Sequence, residues 1–268
     1  MGIKLKHHTR KQEKPSLLTA LTKLNSMQKI SILLFLSFAL LLSNKIVGQD
    51  SNSDQKYTFK RGNLNGIGKW YMGREIAHVM GFQGIGWLER SDREKEENVS
   101  NLIQNMRIKY NDTIADIGAG SGYHVFRMAS MAKKGVVYAV DIQNEMLEAI
   151  QSKIATRKIK NIKTILGSEK SIHLPNNSVD KILMVDVYHE FNYPKEMIRS
   201  IKNVLKPNGA LFLIEYRGED LGVPIKKIHK MTENQAVKEM EAAGFTLKEN
   251  IGNLPWQHCM IFIKNQEL

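Results

Sequence analysis

The stretch that most constrains this chain is T-I-A-D-I-G-A-G-S-G-Y, Thr113 to Tyr123. A short apolar run reaches Asp116, glycines alternate at 118, 120 and 122, and a helical pattern opens at Tyr123. The pattern predicts a strand, a tight turn and a helix N-terminus, the place where an α/β sheet presents backbone N–H groups to a ligand. Glycine tolerates positive φ there, and without a Cβ it lets a ligand approach the backbone. The spacing is G-x-G-x-G, one residue short of the G-x-G-x-x-G of dinucleotide sites. An acid just before the turn, Asp116, suits a cationic amino group better than a pyrophosphate. The next apolar run, G-V-V-Y-A-V-D, ends at Asp141, placed to accept the hydroxyls of a ribose.

Taken together, D-I-G-A-G-S-G-Y followed by V-Y-A-V-D-I resembles the class I S-adenosylmethionine-dependent methyltransferases, from about Asn98 to the C-terminus. The resemblance implies an α/β, Rossmann-like sheet of seven strands in the order 3-2-1-4-5-7-6, the last strand antiparallel, with helices on both faces. It implies S-adenosyl-L-methionine as cofactor, with Asp116, Gly118, Ala119, Gly120 and Gly122 around its methionine part and Asp141 and Ile142 around its ribose. In the family an acid commonly follows the third-strand glycine to meet the adenine. This chain instead has Ser168, with Glu169 beside it.

Chemistry in such a fold belongs past the ends of strands four and five. Methyl transfer requires alignment, and a base where the acceptor must lose a proton. Asp186, His189 and Glu190 fall where the methyl group would point, with His189 suited by its ordinary pKa to act as base and Glu190 to orient it or hold the substrate. Asp186 also borders the cofactor. Tyr188, Tyr216 and Arg217 are the expected substrate contacts. The strand-four sequence D-V-Y-H-E-F looks like the broad type 11/25-like group of quinone-pathway and other small-molecule methyltransferases. It implies a small organic acceptor methylated on oxygen or carbon. No metal site is assigned, because a single cysteine, Cys259, excludes cysteine-cluster sites as well as internal disulfides.

The formal charge of +12 over 268 residues would ordinarily raise nucleic acid as a partner. Residues 1–48 hold eight of the basic residues and one acid, so the rest of the chain carries only +5 and no nucleic-acid partner is expected. Residues 30–42, I-S-I-L-L-F-L-S-F-A-L-L-L, form an uncharged apolar run of signal-peptide length, with Met27 a compact alternative start and cleavage expected near Gly48. Residues 1–48 therefore read as a signal peptide or signal anchor, placing the domain outside the cytosol or on the membrane. Residues 49–68 read as a linker, and 69–97 as an N-terminal lid with a short helix over Arg74–Met80; the methyltransferase domain follows over 98–268. Two rivals remain: an exported or tethered non-catalytic cofactor-binding module, and an NAD-type oxidoreductase, against which the glycine spacing already counts.

Overall fold

The computed structural model describes residues 57–265. The expected signal segment, with Met27 and the run 30–42, and the first part of the linker lie outside the described residues. Among those described, no helix is long and apolar enough to cross a membrane.

Strands β1 (Thr58–Phe59), β2 (Gly66–Tyr71) and β3 (Arg74–Ala77) form a small antiparallel sheet. The helix expected over Arg74–Met80 is therefore a strand, and the end of the expected linker is part of the same sheet. The reason lies in the turn: Met72 and Gly73 both adopt positive φ, at 49° and 104°. Two such residues match the right-handed twist of a hairpin, so Tyr71 pairs Arg74 and Trp70 pairs Glu75. Three short helical pieces follow: a 3-10 turn at Phe82–Gly84, α1 (Ile85–Leu88) and α2 (Arg93–Glu97). Asn98, in the left-handed region, ends α2 and caps α3 (Val99–Asn105) by accepting from the Asn101 N–H.

The main sheet then builds by alternation: β4 (Thr113–Ile117), α4 (Tyr123–Met131), β5 (Val136–Asp141), α5 (Asn144–Arg157), β6 (Ile162–Leu166) and β7 (Val179–Val185). Helix α6 (Pro194–Val204), β8 (Leu205–Tyr216), α7 (Glu233–Ala242), β9 (Phe245–Asn250) and β10 (Gln257–Lys264) complete it. The spatial order is β6-β5-β4-β7-β8-β10-β9, with β10 antiparallel to both neighbours. In the domain's own strand count this is the expected 3-2-1-4-5-7-6.

Period-two alternation explains why both faces are covered. Ile182 and Met184 of β7 join one core with Met197, Ile198 and Met240 of α6 and α7. Leu183 between them joins the other, with Leu102, Val125 and Ile150 of α3, α4 and α5. Helix starts follow their side chains: Pro194 opens α6, and the Thr232 hydroxyl accepts from the Gln235 N–H to cap α7. Asn144 is the first helical residue of α5 and donates to Glu148.

Candidate active site

The carboxyl ends of β4, β5 and β7 open into one cavity of about 580 Å³. Gly118, Gly120 and Gly122 follow β4 with φ of 72°, 52° and 81°. A Cβ at Gly118 would stand 2.5 Å from Val187 Cγ2, so the turn is closed to any side chain. The turn differs from the expected donor array: Gly118 and Ala119 both donate to Val140 O, Gly120 donates to Asp141 Oδ2 and Gly122 to Ala119 O. What these four positions offer a ligand is bare backbone surface rather than free N–H groups. Asp141 is fixed at both oxygens, Oδ1 accepting from the Gln143 N–H at 2.9 Å and Oδ2 from Gly120 at 2.9 Å. Burial raises its pKa against these backbone bonds.

Five buried side-chain atoms have no hydrogen-bond partner among the described residues: Asp116 Oδ2, Ser121 Oγ, His124 Nε2, Asp186 Oδ1 and Gln257 Oε1. All belong to residues at the ends of β4 and β7, to the glycine turn and the helix it opens, or to the start of β10, which pairs with the end of β8. Buried polar atoms are normally satisfied, so this concentration marks a place shaped for a polar ligand. Burial, together with the charge of Asp141, pushes Asp116 well above the ordinary carboxylate range, against the pull of Arg93. His124 is driven well below its ordinary value by burial and by Arg93 and Arg127.

A second corner of the cavity is made by His189, Glu190 and His229. Glu215, fully buried on β8, accepts the N–H groups of Tyr188 and His189 at Oε1 and meets His189 Nδ1 at 2.7 Å through Oε2. Burial opposes a charge on His189, but the Glu215 carboxylate raises its pKa overall. Glu190 lies 3.8 Å from His189 Nε2, and burial pushes its carboxyl up to about 7. His229 approaches from the segment before α7, its Nδ1 3.2 Å from His189 Nε2, with its pKa driven down to about 4 by burial and by His189.

The N-terminal segment closes over this cavity. The Met80 N–H donates to both oxygens of Glu190 at 3.2 Å, Gln143 Nε2 donates to Met80 O, and the Phe82 N–H donates to Gln143 Oε1. Leu88 lies over Gly120, its Cδ1 2.5 Å from where a Cβ would be. Arg90 and Arg93 converge on Glu97, which also accepts the Tyr216 hydroxyl. Two cations, the buried Lys69 and the half-buried Arg74, tie the hairpin down. Lys69 donates to Asn192 O and sits 3.5 Å over the Tyr193 ring; Arg74 pairs with Glu239 and donates to His189 O. The segment 69–97 is thus pinned at Gln143, Glu190 and Glu239.

Of the residues singled out from the sequence, Gly118, Gly120, Asp141, Ile142, Ser168 and Glu169 line the cavity, as do Asp186, His189, Glu190 and Tyr216. Asp116 lies buried behind its wall, while Ala119 and Gly122 shape the turn. Two expected substrate contacts are not brought to it. The Tyr188 hydroxyl turns into the core to donate to Glu239, and Arg217 binds the carbonyls of Leu254 and Pro255. Glu215, a sequence candidate for substrate contact, instead supports His189, and sequence reasoning missed Gln143, His229, Ser121 and His124. The last two carry a local signal, polar groups inside and just after a glycine turn; the others depend on the sheet bringing distant segments together.

A doubly covered sheet in this order, with a glycine turn and two carboxylates at the ends of its first two strands, defines a class I methyltransferase fold. The family model described as a methyltransferase domain matches residues 108–262, and the chain belongs to that family. S-adenosylmethionine is the cofactor that the sequence motifs imply for it. The fold is also that of a SAM-dependent methyltransferase from Aquifex aeolicus, at a TM-score of 0.65 and 24% identity, covering 69% of this chain and 98% of that one. The chain is 29% identical over 145 residues to the uncharacterized methyltransferase YdaC of Bacillus subtilis, covering 53% of this chain and 76% of that protein. It is 28% identical over 149 residues to the ubiquinone/menaquinone biosynthesis C-methyltransferase UbiE of Wigglesworthia glossinidia brevipalpis, covering 53% of this chain and 59% of the relative. The chain spans about half to three quarters of the length of such curated relatives.

The residues present fit this cofactor. Asp116 and the unpartnered Ser121 and His124 atoms form a polar end beneath the turn, the glycines leave room for close approach, and Asp141 presents a fixed carboxylate. The apolar side chains of Ile142 and Met146 border the same cavity.

Proposed function

We propose that this protein transfers a methyl group from S-adenosylmethionine to a small organic acceptor held between the 186–190 segment and the N-terminal cover. When bound, S-adenosylmethionine supplies an electrophilic methyl group on a sulfonium. Asp116 would hold the cationic amino group, and Asp141 the ribose hydroxyls. Ser168 and Glu169, on the turn after β6, would border the base.

The chain's own contribution to transfer is alignment and exclusion of water. Met80, Trp87 and Leu88 line the cleft, and the Gln143 clamp couples the N-terminal cover to Asp141. His189 is held by Glu215 at Nδ1, and its Nε2 meets His229 Nδ1 at the acceptor end. The observation that carries the reading is the set of five unpartnered buried polar atoms gathered at the ends of β4 and β7, the turn after β4 and the start of β10, with Asp186 among them on the cavity wall.

Calorimetric titration with S-adenosylhomocysteine tests it directly: micromolar binding is expected, and binding of a nicotinamide dinucleotide in its place would overturn the reading. A labelled-methyl assay against cell extract then separates an enzyme from a binding module. His189→Ala should abolish transfer while S-adenosylhomocysteine still binds; unchanged turnover removes His189 from the reaction. The exported or membrane-anchored location, read from residues 30–42, belongs to the same proposal and is tested by cell fractionation.

A further inference from the structure

His189 and Glu190 come from the turn after β7, and His229 from the segment between β8 and α7, yet their potential ligand atoms lie within 4.8 Å of one another. The His189 ring has its orientation and tautomer set by the fully buried Glu215. A carboxylate on the far nitrogen of an imidazole is the usual outer support of a metal-ligating histidine. Glu190 is likewise held, both oxygens accepting from the Met80 N–H.

The two ring nitrogens, His189 Nε2 and His229 Nδ1, stand 3.2 Å apart. Two nitrogen ligands at about 2.0–2.1 Å from a tetrahedral zinc ion are separated by about 3.3 Å. Glu190 Oε1, at 3.8 Å from His189 Nε2, is about half an ångström outside the same edge length and is brought in by a small side-chain rotation. Charge points the same way. Glu190 and Glu215 place two carboxylates beside two imidazoles, and among the described residues neither carboxylate is in an ion pair with Lys or Arg. Arg74, which touches the His189 carbonyl, is already neutralised by Glu239. All three side chains line the cavity, so a fourth position would face the space left for the acceptor.

We propose that His189, Glu190 and His229 hold one divalent first-row transition-metal ion, with an open position toward the acceptor. Two imidazoles and one carboxylate suit zinc or ferrous iron rather than calcium or magnesium. The proposal rests on the methyl-transfer reading and deepens it. An ion there would receive the acceptor through an oxygen or sulfur that releases its proton to solvent on coordination, which makes the acceptor a phenol, enol or thiol; the new bond to the methyl group forms as the sulfonium S–CH3 bond breaks and S-adenosylhomocysteine leaves. His189 is then a ligand rather than the free base that its residue type suggests.

The test uses the full chain with His7→Ala and His8→Ala, which removes two adjacent histidines that belong to no part of the proposed site, stripped of metal by a chelator. Calorimetry with Zn²⁺ should give one ion per chain, and Co²⁺ should develop the visible absorption of a low-symmetry nitrogen–oxygen site. Loss of an outer support weakens metal sites about 10–100-fold, so Glu215→Gln should fall in that range and His229→Ala or Glu190→Gln beyond it. Circular dichroism and the thermal midpoint establish that each variant is folded, and the isosteric Glu190→Gln serves where His229→Ala does not fold. The proposal is overturned if metal-free protein binds S-adenosylhomocysteine but takes up no stoichiometric Zn²⁺, or if the folded ligand variants bind Zn²⁺ like the parent. Failure of the metal-free parent to bind S-adenosylhomocysteine sinks the methyl-transfer reading instead.

Discussion

Asp116→Asn isolates the electrostatic core of the site. The carboxyl is 2% exposed, one of its oxygens has no partner, and burial keeps it protonated well above the ordinary carboxylate range. Asparagine is nearly isosteric and neutral, so the variant should fold at least as well as the parent. The sign follows from linkage: with the folded pKa raised, the native state holds a proton that the unfolded chain releases above about pH 4, and the parent loses stability as pH rises through that window. Asp116→Asn removes this loss, so the variant should gain on the parent between pH 4 and pH 8. Binding should move oppositely. A cationic amino group meeting Asp116 requires its ionisation, so the parent releases a proton on binding and binds more tightly as pH rises. Hydrogen bonds to charged groups contribute about 1.5–3 kcal/mol, so Asp116→Asn should weaken S-adenosylhomocysteine binding about 10–150-fold. Calorimetry in two buffers of different ionisation enthalpy reads the affinity and the proton count together. Equal affinity in parent and variant, or an unchanged proton count, would refute the assignment of Asp116 to the amino group.

Gly118→Ala adds a Cβ 2.5 Å from Val187 at a φ of 72°. Left-handed backbone alone costs about 1–2 kcal/mol, so urea denaturation should show at least that loss and cofactor affinity should fall with it. Glu239 is buried and accepts from Arg74, Tyr188 and Gln235. Breaking a buried pair from one side costs about 3–5 kcal/mol, so Glu239→Ala should lower the urea midpoint accordingly, and a loss below about 1 kcal/mol would show that this pair does not fasten the hairpin. His124 stays neutral inside the fold while the unfolded chain takes up a proton below about pH 6.5, so the parent should lose stability as pH falls through that value. His124→Leu should flatten the stability profile between pH 7 and pH 5, measured by denaturant titration at each pH.

What could be read from the sequence follows how local each cause is. The turn at Gly118–Gly122 needs only its own residues, and Asp141 sits at the tip of an apolar run, so both were legible. Residues 74–80 carry Ile76, Val79 and Met80 at helical spacing, but the two-residue turn Met72–Gly73 decides for a hairpin. Glu75 then secures the ribbon by accepting from the N–H groups of Asn63 and Gly68. Tyr188 shows the opposite error: its place beside His189 in the chain suggested a site residue, but the 3-10 turn at Tyr188–Glu190 sends the two side chains apart. One reaches Glu239 in the core, the other the cavity.

The acceptor corner was the least legible part because no short segment contains it. Glu215 lies 26 residues beyond His189, and His229 lies 40 beyond. They meet because β8 runs parallel to β7, which puts their carboxyl ends side by side, and because the chain returns over that edge before α7. Met231 anchors the return, its N–H donating to Tyr216 O while its carbonyl accepts from the Gly218 N–H. His229 is thereby fixed two residues from a backbone tether. Sheet order therefore assembles this corner, and the separate motifs show only its His189–Glu190 half.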